Sequence, residues 1–243
     1  YSGNCRFAST THFRGGLRRR QFMILVFASS KGGVGKSTIC AALGAALAER
    51  GDRVLILDLD QNRTVERWHR NAIANSNVVD GLTVEAVPAA QFTDRMRDLG
   101  AGETYDHILI DLAGAREVTL FKAIARADLV IIPAQASAPD IREALVIVGD
   151  VRDIEETAGR KIPYRLLLTK MGPLRTRVSD FAYNELARLG LPLLSAIGER
   201  TAYREMFLSG DPPTRIDPNS GAGAEILDLL RRDEVYVRVD GAS

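Results

Sequence analysis

A glycine-rich segment between an apolar run and a helical pattern constrains this chain more than any other feature. Residues 30–38 read SKGGVGKST, and they follow MILVFAS (23–29), a run that is typical of a buried strand. Glycines in such a segment leave successive backbone N–H groups free to surround an anion. The helix that follows presents its positive N-terminal end to the same anion. Because a phosphate-binding loop requires this placement between strand and helix, we expect a nucleoside triphosphate site here.

Short apolar runs alternate with helical patterns along the rest of the chain. Continuous apolar strands separated by helices indicate a sheet that is covered on both faces. Right-handed crossovers then predict a doubly wound α/β fold with a mostly parallel sheet, whose ligands bind at the carboxyl ends of the strands. Strands are predicted at 23–29, 53–60, 82–87, 107–112, 128–133 and 164–170, and helices at about 36–50, 64–73, 89–99, 117–126, 139–158, 177–189, 201–209 and 222–232.

The first 22 residues differ in composition from the rest of the chain. They hold five arginines and no acidic residue, and Met23 directly precedes the first predicted strand. They lack the apolar core of a secretion signal, and no run in the chain approaches the ~20 apolar residues of a bilayer span. We interpret residues 1–22 as an extension outside the folded domain. Cys5 and Cys40 form no metal-binding or disulfide motif, which favours a reducing, cytoplasmic setting.

The side chains that end the glycine-rich segment have distinct predicted roles. Lys36 is expected to neutralise the β- and γ-phosphates, Ser37 to bind Mg2+ through its hydroxyl, and Thr38 to lie near the α-phosphate. A glycine-rich turn without a ligand is the alternative, and the Gly-Lys-Ser-Thr sequence with these flanks argues against it. The positions that we assign to nucleotide binding in this segment are Lys31, Gly32, Gly33, Val34, Gly35, Lys36, Ser37 and Thr38.

The segment departs from the ordinary pattern G-x-x-x-x-G-K-[ST] at one position. Ser30 stands where the first glycine belongs, and Lys31 follows it. The string KGGVGKST resembles the deviant Walker A ATPases, the ParA/MinD family. The resemblance implies that residues 23–243 form a single P-loop ATPase domain, which binds ATP and Mg2+ and forms a homodimer with ATP. It further implies that Lys31 reaches phosphates bound by the other subunit, where a second ammonium would act much as an arginine finger does.

Three carboxylates lie at the carboxyl ends of predicted strands. Asp111 closes the apolar run HILID, which is typical of a Walker B strand, and we expect it to hold Mg2+ through water. The resemblance implies that Asp60 positions the attacking water and that Asp58 faces the loop lysine and the magnesium shell. Capping of the following helix is the alternative role for Asp58 or Asp60.

Two turns depart from the pattern of the family. Many members continue with Pro-Gln after the second aspartate, whereas this chain has Gln61-Asn62-Arg63. After the Walker B acid, Asp-Thr-Pro-Pro is replaced by a segment that ends in Gly114, which we expect to permit a close backbone approach to the γ-phosphate. Thr169-Lys170-Met171-Gly172 lies where GTPases carry Asn-Lys-x-Asp. Because Gly172 supplies no carboxylate, ATP is favoured over GTP.

A basic stretch in the second half of the chain suggests a partner. Residues 160–204 carry nine basic and three acidic side chains, whereas residues 23–243 as a whole hold 27 basic and 31 acidic ones. The resemblance to the ParA branch implies DNA binding without sequence readout, which would be sensitive to salt. We assign it to Arg175, Arg177, Arg200 and Arg204, and a solvated basic face is the alternative.

The predicted function is that of a ParA-like ATPase that positions plasmid, chromosome or transfer-complex cargo, with a small adaptor or ParB-like protein as its stimulating partner. The stretches DLDQNRTVERW (58–68) and APDIREAL (138–145) resemble the ParA-like ATPase of tumour-inducing plasmid virulence regions, which binds transfer-DNA border elements. A MinD-like membrane-cycling ATPase is one alternative, although residues 224–243 are mixed in charge and lack the bulky apolar face of a membrane helix. A dethiobiotin-synthetase-like ligase is another, although such an enzyme does not need Lys31.

Overall fold

Six parallel strands form the centre of the molecule. The computed structural model describes residues 22–102, 105–114, 117–217 and 221–231. The strand order is β3-β2-β4-β1-β5-β6, and every neighbouring pair is parallel, which confirms the predicted doubly wound sheet. The strands are β1 (Met23–Phe27), β2 (Val54–Asp58), β3 (Leu82–Ala86), β4 (His107–Asp111), β5 (Leu129–Gln135) and β6 (Tyr164–Thr169).

Helices connect the strands and follow the last of them. The sequence pattern predicts all of them except α8, a single turn whose first residue is the second of two prolines, a position that proline favours. The helices are α1 (Lys36–Glu49), α2 (Thr64–Ala74), α3 (Phe92–Gly102, after a 3-10 turn at Ala89–Gln91), α4 (Val118–Ile124), α5 (Ala138–Ala158), α6 (Arg177–Arg188), α7 (Ala202–Ser209), α8 (Pro213–Ile216) and α9 (Gly221–Arg231). None of the described helices combines the length and apolar character that a bilayer span requires.

The helices form two layers, one on each face of the sheet. Buried side chains of α3, α4, α5 and α6 pack with one set of strand residues, including Val26 of β1. Those of α1, α2, α7 and α9 pack with the alternate set, including Leu25 and Phe27. Because successive strand residues point to opposite faces, this arrangement explains why the strands are apolar throughout. The predicted N-terminal extension lies outside the described residues except for Phe22, which packs against the first of these cores.

The C-terminal end of α7 is held by α2. Asparagine amides of α2 and the turn after it take the place of the missing helical donors for the last carbonyls of α7. Asn71 donates to the carbonyl of Phe207 at 2.9 Å, and Asn75 and Asn77 donate to that of Ser209 at 2.8 and 3.0 Å. At Gly210 (φ 80°) a Cβ would lie 2.3 Å from the backbone of Ala72. The two helices therefore approach so closely that only glycine fits at this position.

Candidate nucleotide site

The glycine-rich loop joins β1 to α1 at the carboxyl edge of the sheet, as the sequence predicts. Gly33 and Gly35 have φ angles of 77° and 97°, a left-handed conformation that glycine adopts without steric strain. Lys36 is the first residue of α1, and its Nζ atom lies 3.2 Å from the carbonyl oxygen of Lys31. The lysine side chain thus folds back across the loop, above the N-terminus of α1.

A cavity of about 630 Å³, here named the loop cavity, opens above the loop. The loop residue Val34 does not line it, because its side chain is buried and its carbonyl accepts a hydrogen bond from the Thr169 hydroxyl at 2.8 Å. The end of β6 thereby fixes the loop. The predicted site residues that line the loop cavity are Gly32, Gly33, Gly35, Lys36, Ser37, Thr38 and Asp60.

Two buried carboxylates lie side by side beneath the loop. Asp58 of β2 is the direct neighbour of Asp111 of β4 in the strand register, and both are almost fully buried. Neither oxygen of Asp111 has a hydrogen-bond partner among the described residues. Burial raises the pKa of Asp111 to about 7, the nearby Ser37 hydroxyl and Lys36 ammonium lower it, and the charges of Asp58 and Asp60 raise it. The effect of burial therefore outweighs the favourable contacts with Ser37 and Lys36, and the ionised form of Asp111 is disfavoured.

The surroundings of Asp111 fit a magnesium ion. Mg2+ binds one or two protein oxygens and keeps several water and phosphate ligands, and the Ser37 hydroxyl and the Asp111 carboxylate supply such oxygens. In the part of the chain that the structure describes, no three His, Cys, Asp or Glu side chains form a metal-binding group. A cation at this position would thus need phosphate oxygens to complete its shell.

Asp58 caps the helix that follows it. Its Oδ2 atom accepts hydrogen bonds from the backbone N–H groups of Val65 at 2.9 Å and Glu66 at 3.0 Å, and its Oδ1 atom accepts one from Asp60. Burial raises the pKa of Asp58, and these N–H donors oppose the rise. Carboxylates at a helix N-terminus are stabilised in this way. The contacts therefore favour the capping alternative for Asp58 over a direct approach to the loop lysine.

The turn after β2 places Asp60 in the loop cavity. The Oδ1 atom of Asp60 accepts a hydrogen bond from the backbone N–H of Asn62 at 2.8 Å, and the Arg63 N–H donates to the Asp60 carbonyl. Arg63 itself has a left-handed backbone (φ 49°), which strains a non-glycine residue by about 1 kcal/mol. The Gln61-Asn62-Arg63 sequence therefore still forms a tight turn, with Asp60 at its start.

Gly114 brings the segment after β4 against the phosphate loop. A Cβ at this position would lie 2.8 Å from the Gly32 nitrogen and 2.8 Å from the Lys31 carbonyl carbon. Real Cβ atoms do not approach backbone that closely, so only glycine allows this contact. The contact is made to the backbone of the loop, and the expected approach of Gly114 to the γ-phosphate stays a prediction.

Lys31 forms an ion pair within its own chain. Its Nζ atom lies 2.7 Å from Oδ1 of Asp140 in the first turn of α5, and the Ser137 hydroxyl donates to the other oxygen of this carboxylate at 2.5 Å. Burial would raise the pKa of Asp140, but the hydrogen bonds from Lys31 and Ser137 hold it below its usual value. Lys31 is half exposed, so the pair borders solvent.

A second cavity of about 430 Å³, here named the side cavity, adjoins the start of α1. Gly35 and Thr38 line both cavities, so a nucleotide with its phosphates on the loop would place its nucleoside here. The wall that the sequence did not predict consists of residues 197–207, a stretch whose residues carry no motif for ligand binding. The lining residues outside α1 are Gly35, Thr169, Lys170, Ile197, Gly198, Glu199, Arg200, Tyr203, Arg204 and Phe207.

The four arginines that we assign to DNA differ in their surroundings. Arg175 and Arg204 form exposed ion pairs with Asp180 and Glu199, and Arg200 pairs with Glu225 at 2.8 Å. Arg177, the exposed first residue of α6, has no carboxylate within ion-pair distance among the residues that the structure describes. Arg200 and Arg204 line the side cavity, whereas Arg175 and Arg177 lie at the start of α6.

Comparison with known proteins identifies the family. A family model described as VirC1 protein matches residues 22–211. The chain belongs to the VirC1 family. A protein named ParA from Rhizobium radiobacter is 30% identical to this VirC1-family chain over 195 residues, which are 77% of the chain and 83% of the relative.

Solved structures share the fold of this VirC1-family chain. A putative plasmid partition protein from Borrelia burgdorferi B31, bound to AMPPNP, has a TM-score of 0.72 at 23% identity and covers 89% of this chain and 100% of its own. The septum site-determining protein MinD from Pyrococcus horikoshii OT3, complexed with Mg-ADP, has a TM-score of 0.68 at 17% identity. The match covers 92% of this chain and 100% of the MinD chain. The family model and the ParA relative confirm the resemblance to the ParA/MinD type of ATPase.

Proposed function

We propose that residues 23–243 form a single P-loop ATPase domain that binds ATP with Mg2+ and, as an ATP-dependent dimer, positions DNA-associated cargo. One observation carries the nucleotide part of this proposal. The buried Asp111 carboxylate, without a partner among the described residues, lies near Ser37 beneath a glycine loop at the N-terminus of a helix. A divalent cation with a bound triphosphate would add positive charge beside this carboxylate, to which the Lys36 ammonium already contributes.

In the proposed reaction, the loop N–H groups and Lys36 bind the phosphates. Burial lowers the pKa of Lys36, and the charges of Asp111 and Asp60 partly oppose this lowering; the Lys36 ammonium contacts the β- and γ-phosphates. Magnesium held by Ser37 and Asp111 would neutralise charge that develops on these phosphates. Asp60, which lines the loop cavity, orients the attacking water. The products are ADP and phosphate, and a small adaptor or ParB-like partner accelerates a slow intrinsic reaction.

Nucleotide binding is tested by calorimetry with AMPPNP and Mg2+ on the wild type and on Lys36→Ala. The wild type should bind the nucleotide, and loss of the Lys36 ammonium should weaken binding at least about tenfold, which is about 1.4 kcal/mol. Lys161→Ala is the matched control, because Lys161 is 90% exposed and pairs with Glu155 at 3.5 Å. A wild type that does not bind AMPPNP would contradict the proposed function.

The dimer part of the proposal depends on Lys31. To reach phosphates in a second subunit, its side chain must leave Asp140, from which it is 2.7 Å away. Sizing the protein with ADP and with AMPPNP tests this step. We expect a dimer with AMPPNP only, a monomer for Lys31→Ala in both nucleotides, and wild-type behaviour for Lys161→Ala. A dimer of Lys31→Ala as strong as that of the wild type would remove the cross-subunit role.

DNA binding is proposed for Arg175, Arg177, Arg200 and Arg204 in the nucleotide-bound dimer. The proposal is supported by the net positive charge of residues 160–204 and by the exposure of Arg175 and Arg177. A mobility assay with a non-specific duplex and AMPPNP tests it at two salt concentrations. Reversing the charge of Arg175 and Arg177, which lie outside both cavities, should weaken binding and make it less dependent on salt. Arg97→Glu on α3, whose ion pair with Asp94 is exposed, is the control, and equal affinity in all variants would refute the assignment.

A further inference from the structure

One carboxylate of the C-terminal helix α9 binds the wall of the side cavity. Glu225 accepts four hydrogen bonds, two on each oxygen. Its Oε2 atom accepts from the backbone N–H of Gly198 at 3.1 Å and from the Tyr203 hydroxyl at 3.1 Å. Its Oε1 atom accepts from Nε and Nη2 of Arg200 at 3.0 and 2.8 Å. Both oxygens are thus engaged by the wall.

The three partners of Glu225 all line the side cavity. Gly198, Arg200 and Tyr203 are lining residues, and Glu225 itself is not. The contacts join α9 to a wall that lies 22 to 27 residues earlier in the chain. Glu225 therefore does not line the side cavity itself, but contacts three of the residues that do.

The packing at Gly198 shows how closely this contact is fitted. A Cβ on Gly198 would lie 2.9 Å from Nε of Arg200 and 2.9 Å from Oε1 of Glu225. The ion pair therefore lies directly over the glycine, and a larger residue there would push the two side chains apart. Because the Gly198 N–H donates to the same carboxylate, Glu225 is in direct contact with the backbone at the edge of the cavity.

The hydrogen bonds that Glu225 accepts are stronger than bonds between neutral groups, because its carboxylate is charged. The Glu225 side chain is 16% exposed, and charge-assisted hydrogen bonds in such surroundings are stronger than neutral ones. Burial and the Glu225 charge raise the pKa of Tyr203, so its phenol stays a hydrogen-bond donor. Without the carboxylate, the Gly198 N–H and the Arg200 guanidinium would lose this acceptor, whereas the Tyr203 hydroxyl would keep the Ala222 carbonyl at 3.2 Å.

We propose that Glu225 is a positioning residue of the side cavity, which holds the wall at residues 198–203 against the nucleoside part of the bound nucleotide. This inference rests on the proposed function, because the side cavity receives a nucleoside only if the loop binds its phosphates. Glu225 should therefore affect ligands that carry a base and ribose, and leave unchanged those that consist of phosphates alone.

The test compares two ligands on matched variants. Glu225→Gln keeps the shape of the side chain and removes its charge. Glu185→Gln is the control, because Glu185 also pairs with an arginine, Arg188 at 2.8 Å, on α6 at the other face of the sheet. Calorimetry with Mg2+ measures the affinity of each protein for AMPPNP and for tripolyphosphate.

We expect Glu225→Gln to bind AMPPNP about tenfold more weakly than the wild type, which corresponds to about 1.4 kcal/mol. Its affinity for tripolyphosphate should equal that of the wild type, and Glu185→Gln should match the wild type for both ligands. An unchanged AMPPNP affinity, or an equal loss for both ligands, would overturn the positioning role.

A second variant keeps the test decisive if Glu225→Gln fails to fold. Gly198→Ala inserts a methyl group against the Arg200–Glu225 pair without removing a charge, and it should show the same selective loss of AMPPNP affinity. If the chain is not a nucleotide-binding protein, the calorimetry gives a different result, because the wild type itself would then bind neither AMPPNP nor tripolyphosphate. That result would overturn the positioning role as well.

Discussion

Replacing Asp111 with asparagine should stabilise the nucleotide-free protein, and the gain should depend on pH. The carboxyl is fully buried, and its pKa of about 7 lies above the ordinary value of 3.8. Because the folded state holds the proton more tightly than the unfolded state, folding becomes less favourable as the pH rises through this interval. The penalty is complete above about pH 7 and absent below about pH 4. Asparagine does not ionise and removes it.

The size of the effect follows from the same two values. The interval from 3.8 to about 7 corresponds to about 4 kcal/mol at pH 8, at about 1.4 kcal/mol per pH unit. The asparagine amide would itself lack partners, which costs about 2 kcal/mol. The net gain is therefore about 2 kcal/mol at pH 8. At pH 5 the penalty is only about 1.5 kcal/mol, so the gain should be close to zero.

Thermal unfolding at pH 8 and pH 5 measures this difference. A gain of about 2 kcal/mol should raise the midpoint at pH 8 by about 4–8 °C in a chain of this size. Asp94→Asn is the control, because Asp94 is 69% exposed, and surface charges of this kind contribute less than about 1 kcal/mol. Equal midpoint changes for Asp111→Asn at both pH values, or a lower midpoint at pH 8, would refute the reasoning.

When Mg2+ and AMPPNP are added, the wild type should become more stable than Asp111→Asn. A ligand at about 100 times its dissociation constant stabilises the folded state by about 2.7 kcal/mol, and the wild type should gain this amount. The variant lacks the carboxylate that holds Mg2+ in the proposed site and should gain little. Such an exchange of stability for function is common at active sites.

Three further substitutions test close contacts in the fold and the site. Gly210→Ala should lower the free energy of unfolding by about 1–3 kcal/mol more than Gly159→Ala. Both glycines have positive φ, but only at Gly210 would the added Cβ clash with backbone atoms. Urea unfolding measures the free energy of both variants, and equal losses would contradict this packing. Gly114→Ala should weaken AMPPNP binding about tenfold in calorimetry, because its methyl group would push against the phosphate loop. Asp140→Asn should lower several-fold the AMPPNP concentration that produces a dimer on sizing, because it releases Lys31; a higher concentration would speak against that release.

The sequence predicts those features of the site that depend on local order. The strands β2 and β4 are apolar along their whole length because helices cover both faces of the sheet, so their ends can be recognised from composition alone. Asp58, Asp60 and Asp111 are found because they lie at or just after these ends. The sequence does not decide between capping and magnesium contact for Asp58, since the answer depends on the direction of two N–H groups at the start of α2.

The contacts that the sequence does not predict join residues that are far apart in the chain. Lys31 and Asp140 are separated by 109 positions, and Glu225 lies 25 positions after Arg200. No periodic pattern or motif connects such residues. Arg200 therefore looks like a free basic side chain in the sequence, whereas in the fold its guanidinium is held by a carboxylate. The positive charge of Arg200 is thus balanced by a partner that the sequence does not indicate.

The asparagine contacts between α2 and α7 bear on how the protein opens. The last carbonyls of α7 find their donors on α2, so neither helix end can unfold while the other stays intact. Local opening of such linked segments proceeds as one unit, and the backbone amides near residues 71–77 and 206–210 should exchange with deuterium at a common rate. Because α2 begins after Asp60 and α7 carries Tyr203 and Phe207, the part of the loop cavity at Asp60 and the wall of the side cavity should then loosen together.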